Sequence, residues 1–78
     1  MPTAFVCVTT DPASMVEVLE KVREVEGVVE ADMFYGIYDI IAEVKGDSVE
    51  SLKKIITEHI RRIEKVVTTT TMMVVKVL

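Results

Sequence analysis

The spacing of apolar positions along this chain switches back and forth between the period of a strand and the period of a helix. Thr3 to Thr9 (TAFVCVT) is a short β-branched and aromatic run. It is closed by Thr10-Asp11-Pro12, where Asp11 suits a helix cap and Pro12 suits the first turn. Met15, Val18, Leu19, Val22 and Val25 then recur at intervals of three and four, while Glu17, Glu20, Lys21, Arg23 and Glu24 fill the opposite side. This is an amphipathic helix that packs by one face. Gly27 stands where a left-handed residue ends a helix, and Val28 opens a second strand at once.

Val28 to Tyr35 and Asp39 to Lys45 are both β-prone and meet across Gly36. The expectation is a β-hairpin turning at Gly36-Ile37, either a two-residue type II′ turn or a three-residue variant that includes Tyr38. Gly46-Asp47-Ser48-Val49-Glu50 then supplies a break and a capping pattern, with Asp47 or Ser48 as the cap and Glu50 placed to reach back. Leu52, Ile55, Ile56, Ile60 and Ile63 form the stripe of a second helix, and Val66 to Leu78 reads as a long final strand carrying Thr68-Thr69-Thr70-Thr71. The order is β-α-β-β-α-β. It predicts one α+β domain over 1–78, a ferredoxin-like sandwich with an antiparallel sheet in the order 4-1-3-2 and both helices on one face. The other face, with Phe5, Cys7, Ile41, Met72 and Val74, has nothing left in the chain to cover it, and a second subunit is the expected lid.

Size and composition push the same way. A domain of 78 residues gains only about 3–5 kcal/mol from its own core, yet half of its residues are apolar. One cysteine excludes an intrachain disulfide, and no His/Cys cluster has metal-ligand spacing, so oligomerisation is the remaining source of stability and neither a metal nor another cofactor is expected. The net charge of −4 argues against direct contact with nucleic acid; the one basic cluster, Arg61-Arg62 with Lys65, falls where cations suit the end of a helix. Apolar runs are far shorter than a membrane span. The amino terminus lacks the pattern of a signal peptide, which predicts a cytoplasmic protein.

Catalytic chemistry finds little support. Cys7 lies inside an apolar strand, with no base adjacent in sequence, and reads as a packing residue. His59 is the only histidine and flanks an apolar helix stripe; Glu30, Asp32 and Glu43 read as solvated or ion-pairing carboxylates. Met72 and Met73 point to opposite faces of a strand and cannot jointly hold a soft metal. The hairpin and the threonine run together offer a site. A ligand at the turn would meet the Asp39 carboxylate, suited to an ammonium, and free backbone N–H groups, suited to a carboxylate.

At Ala4-Phe5-Val6-Cys7-Val8, at Gly36-Ile37-Tyr38-Asp39-Ile40-Ile41-Ala42-Glu43-Val44 and at Val66-Val67-Thr68-Thr69-Thr70-Thr71-Met72-Met73-Val74-Val75, the chain resembles the effector-binding domain of the Lrp/AsnC transcription regulators. This is the RAM domain, named for the regulation of amino-acid metabolism. The regulators carry a helix-turn-helix domain ahead of it; here the first strand begins two residues after the initiator methionine, so the resemblance is to a stand-alone RAM domain. It implies a homo-oligomer without a DNA-binding domain of its own: a sheet-to-sheet dimer, then a ring of dimers, holding an amino acid where dimers meet and modulating full-length regulators of the family. It further implies that Gly36, Ile37 and Tyr38 surround the ligand, that Asp39 pairs with its α-ammonium, and that Thr69 and Thr71 contribute from the last strand. Glu64-Lys65 departs from the Pro-Gly that the family often has before the final strand.

Two rival readings share the fold. An ACT-like regulatory subunit of a metabolic enzyme would take the same class of ligand and bring down an enzyme, not a regulator. A small dimeric ferredoxin-like monooxygenase would need a placed His, Asn or Trp; the chain has neither Asn nor Trp, and His59 stands alone.

Overall fold

Alternation sends Ala4, Val6 and Val8 to one side of β1 (Thr3–Thr10), and all three are fully buried in the computed structural model, which describes residues 2–75. They meet Ile40, Ala42 and Val44 of β3 (Ile40–Lys45) and Ala31 of β2 (Val28–Met33), beneath Val18, Leu19 and Val22 of α1 (Met15–Glu24). Leu52 of α2 (Val49–Lys54) and Ile56 and Ile60 of its continuation complete this single core. Truncating Leu52 to alanine would cost about 2–5 kcal/mol, as much as a domain of this size has to spare.

The four strands form one antiparallel sheet in the order β2-β3-β1-β4, the 4-1-3-2 order expected, with β4 spanning Val66–Met73. The architecture is ferredoxin-like. Asp11 accepts the Ala13 N–H at 3.3 Å and starts a 3-10 turn, Pro12–Ser14, that leads into α1. Gly27 follows α1 at φ 102°, and its carbonyl accepts the Lys45 N–H at 2.8 Å, which ties the start of β2 to the end of β3. Among the described residues, no helix is long and apolar enough to cross a membrane.

Four expectations need correction. First, the β2–β3 connection is not a two- or three-residue turn. Met33 pairs with Ile40, so residues 34–39 form a longer loop, closed by Phe34 N–H donating to the Asp39 carbonyl at 2.9 Å. Contacts with β1 help to hold Asp39 at the base of this loop: its N–H donates to the Val8 carbonyl and its carboxylate accepts the Thr10 N–H. Second, Glu50 does not reach back to the cap of α2; Ser48, one of the two expected caps, accepts the Ser51 N–H at 3.1 Å, and its hydroxyl also reaches the Ser51 hydroxyl.

Third, the second helix is not α-helical throughout. Ile55–Ile60 widens into a π-helical segment, with Arg61 N–H donating to the Ile56 carbonyl at 2.9 Å. Ile56 and Ile60 of this segment both lie in the core. Fourth, β4 ends at Met73, although Val74 N–H still donates to the Thr3 carbonyl at 2.9 Å; the rest of the expected strand, 76–78, lies outside the described residues.

The uncovered face carries the expected residues. Phe5 (36% exposed), Met72 (51%) and Val74 (46%) lie open, and Ile41 is half-buried. Cys7 shares that face at only 1% exposure, because its short side chain sits between its register partners Ile41 and Thr70; burial pushes the thiol above its ordinary pKa. It is a packing residue. The helices cover β1, β2 and β3 but stop short of β4, whose helix-side residues Thr71 and Met73 are exposed.

Candidate functional site

Asp39 organises the loop at 34–39 through three hydrogen bonds. Its carbonyl accepts from Phe34, its N–H donates to the Val8 carbonyl at 3.0 Å, and its Oδ2 accepts the Thr10 N–H at 2.8 Å. One carboxylate oxygen is therefore structural. Oδ1 has no partner among the described residues and keeps a lone-pair edge for an incoming donor. Among the described residues, the backbone N–H groups of Tyr35, Gly36, Ile37 and Tyr38 also make no hydrogen bond, so a carboxylate and unspent N–H donors stand within one short loop. Such a pairing suits a molecule with both an ammonium and a carboxylate.

Beside the loop is a recess of about 490 Å³ lined by Met15, Met33, Phe34, Tyr35, Gly36 and Asp39. Its walls are mainly apolar, with one carboxylate. Gly36 sits at φ 146°, and a Cβ built there would meet nothing within 4 Å; backbone geometry selects glycine here, and crowding does not. Ile37 projects into solvent and Tyr38 is half-buried, and neither lines the recess. Met15 was not among the sequence candidates. It opens α1 as an ordinary stripe residue, and only the docking of that helix against the sheet brings it to the loop.

The threonines lie across β1. Val8 joins the two groups: its carbonyl accepts from Asp39 on one side, and its register partner on the other side is Thr69. Thr69 Oγ1 accepts from Arg61 Nε at 2.9 Å, and these two residues line a separate recess of about 280 Å³ with Val66, Val67 and Thr68. Thr71, opposite Val6, lines neither recess. Gly36, Asp39 and Thr69 thus share one end of the sheet but not one cavity. Arg61 is the other residue that sequence reasoning passed over, having been taken as a helix-end cation.

At the opposite end of the sheet a third recess, of about 400 Å³, is lined by residues that include Glu26, Lys45, Ser51 and His59. Among the described residues no group of three or more His, Cys, Asp or Glu side chains is placed to hold a metal ion. The ion pair between Arg23 and Asp32, at 3.3 Å, is half-exposed on both sides and contributes little.

Residues 3–78 match the family model described as the Lrp/AsnC ligand binding domain. An uncharacterised HTH-type transcriptional regulator of Pyrococcus furiosus is 37% identical over 73 residues, which cover 90% of this chain and 49% of that protein. The chain spans about half the length of the curated relatives it matches. Among solved structures, a Thermus thermophilus protein superposes with a TM-score of 0.94 at 29% identity, covering 100% of this chain and 98% of its own. A Neisseria meningitidis transcriptional regulator solved as its L-methionine complex shares the fold, with a TM-score of 0.84 at 17% identity over 96% of this chain and 50% of that one.

Proposed function

We propose that this chain, which belongs to the Lrp/AsnC ligand-binding domain family, binds a free amino acid and serves as the sensing part of an oligomeric regulator. The observation that carries the reading is the loop at 34–39, where Asp39 Oδ1 and the N–H groups of residues 35–38 are all unspent among the described residues. The carboxylate takes the α-ammonium and the N–H groups take the α-carboxylate. Gly36, Ile37 and Tyr38 enclose the backbone of the ligand, and Thr69 and Thr71 supply hydroxyls. The L-methionine held by the Neisseria regulator belongs to the same chemical class.

Assembly completes the site. The loop and the threonines of one chain open into different recesses, so the threonines of one copy meet the loop of another where dimers abut. The dimer forms through the exposed sheet face, burying Phe5 and Met72. In the cytoplasm, ligand occupancy then acts on HTH-type regulators of the family by changing how copies associate; no reaction is catalysed.

Calorimetry with each of the twenty amino acids tests this. At least one gives saturable binding, and Asp39→Asn weakens it by about 1.5–3 kcal/mol, the worth of a charge-assisted hydrogen bond. No binding by any of them, or equal binding by the variant, overturns the reading.

A further inference from the structure

Arg61 is held in place by a neutral partner. Its Nε donates to Thr69 Oγ1 at 2.9 Å, and a guanidinium carries five N–H donors and no acceptor, so the four terminal N–H groups remain. Among the described residues those four make no hydrogen bond, and Arg61 lies within 4.0 Å of no carboxylate. The bond also sets the chemistry of its partner: with a lone pair of Thr69 Oγ1 engaged by Arg61, the hydroxyl hydrogen is left to donate elsewhere. The recess of about 280 Å³ between Arg61, Val66, Val67, Thr68 and Thr69 therefore presents donors from two side chains. Arg62 and Lys65 follow closely in the sequence, in a chain whose net charge is −4. These three cations stand close together in sequence at the turn into β4.

A planar, oriented guanidinium beside a hydroxyl donor suits a carboxylate held by two parallel bonds. We propose that Arg61 is the specificity-determining residue of the amino-acid site and that it selects ligands with an acidic side chain. This rests on the amino-acid reading above. There Asp39 and the loop N–H groups already account for the α-ammonium and the α-carboxylate. Arg61 is bonded to Thr69, so where copies abut it accompanies the threonines to the loop of another copy and is left there for a second carboxylate. A ligand with one ammonium and two carboxylates satisfies all three sets of groups; an inorganic anion satisfies only the last.

Calorimetry on the intact protein with L-glutamate, L-aspartate, L-glutamine, L-asparagine, L-methionine and inorganic phosphate tests the assignment. The expected result is that an acidic amino acid binds roughly ten- to a hundredfold more tightly than its amide, that Arg61→Gln removes this preference, and that Arg61→Lys restores part of it. Arg61→Gln should weaken the acidic ligand far more than its amide, whereas a merely structural role for Arg61 would weaken both alike. Tighter binding of a neutral amino acid, unaffected by Arg61→Gln, overturns the assignment and leaves the amino-acid site standing. Binding of phosphate alone, or of none of these compounds, overturns the assignment, and the screen of all twenty amino acids then decides the amino-acid reading separately.

Discussion

The Thr10 backbone N–H donates to Asp39 Oδ2 at 2.8 Å, so the residue proposed to face the ligand also ties its loop to the end of β1. Thr10 is buried, and its N–H has no other partner if the carboxylate is removed. Asp39→Ala should lower stability by about 1–3 kcal/mol, the penalty of an unsatisfied buried donor. Asp39→Asn keeps an acceptor and should cost well under half of that while still weakening ligand binding. Urea denaturation of both variants separates the two roles; equal stability of Asp39→Ala and wild type would remove the structural one.

Gly27 and Gly36 both hold positive φ, and they should respond differently to substitution. A Cβ at Gly36 meets nothing within 4 Å, whereas one at Gly27 would lie 2.7 Å from Ile55 Cδ1 and 3.1 Å from the Lys45 carbonyl oxygen. Ile55 can swing aside; the Lys45 carbonyl belongs to β3 and cannot. Gly36→Ala should cost about 1–2 kcal/mol of backbone strain, and Gly27→Ala measurably more. Thermal melts of the pair give the order, and the reverse order would refute this account.

Lys65 sits at φ 77°, and it is the one non-glycine residue at positive φ among the described residues. Its backbone carbonyl accepts the Asp11 N–H at 3.3 Å, which fixes the turn into β4. Lys65→Gly should relieve left-handed strain and stabilise the fold by on the order of 1 kcal/mol, raising Tm by about 4–8 °C. A fall in Tm would show that glycine's extra freedom in the unfolded chain outweighs the strain.

The open sheet face offers a direct test of assembly. Met72 is exposed and lies beside Phe5 in the β1–β4 register, so Met72→Lys leaves the buried core alone and places a charge in the proposed interface. Light scattering should show wild type as a dimer or larger and the variant shifted toward monomer, because an unpaired charge buried at an interface costs several kcal/mol. An unchanged mass for the variant would move the interface elsewhere.

Periodicity alone determined the order of elements, the strand order and which residues of β1 face the helices, because each of these depends on local spacing and on the handedness of crossovers. The bare face with Phe5, Met72 and Val74 was legible for the same reason. The length of the loop at 34–39 was not, since Asp39 at its base is held by Thr10 and Val8, contacts about thirty residues away. The π-helical segment was equally hidden: an Ile-rich stripe reads alike at either helical pitch until the core decides which turn fills it. Composition likewise marked Arg61 as a helix-end cation. Only the packing of β4 against β1 brings Thr69 under its guanidinium and turns a solvated charge into an oriented donor.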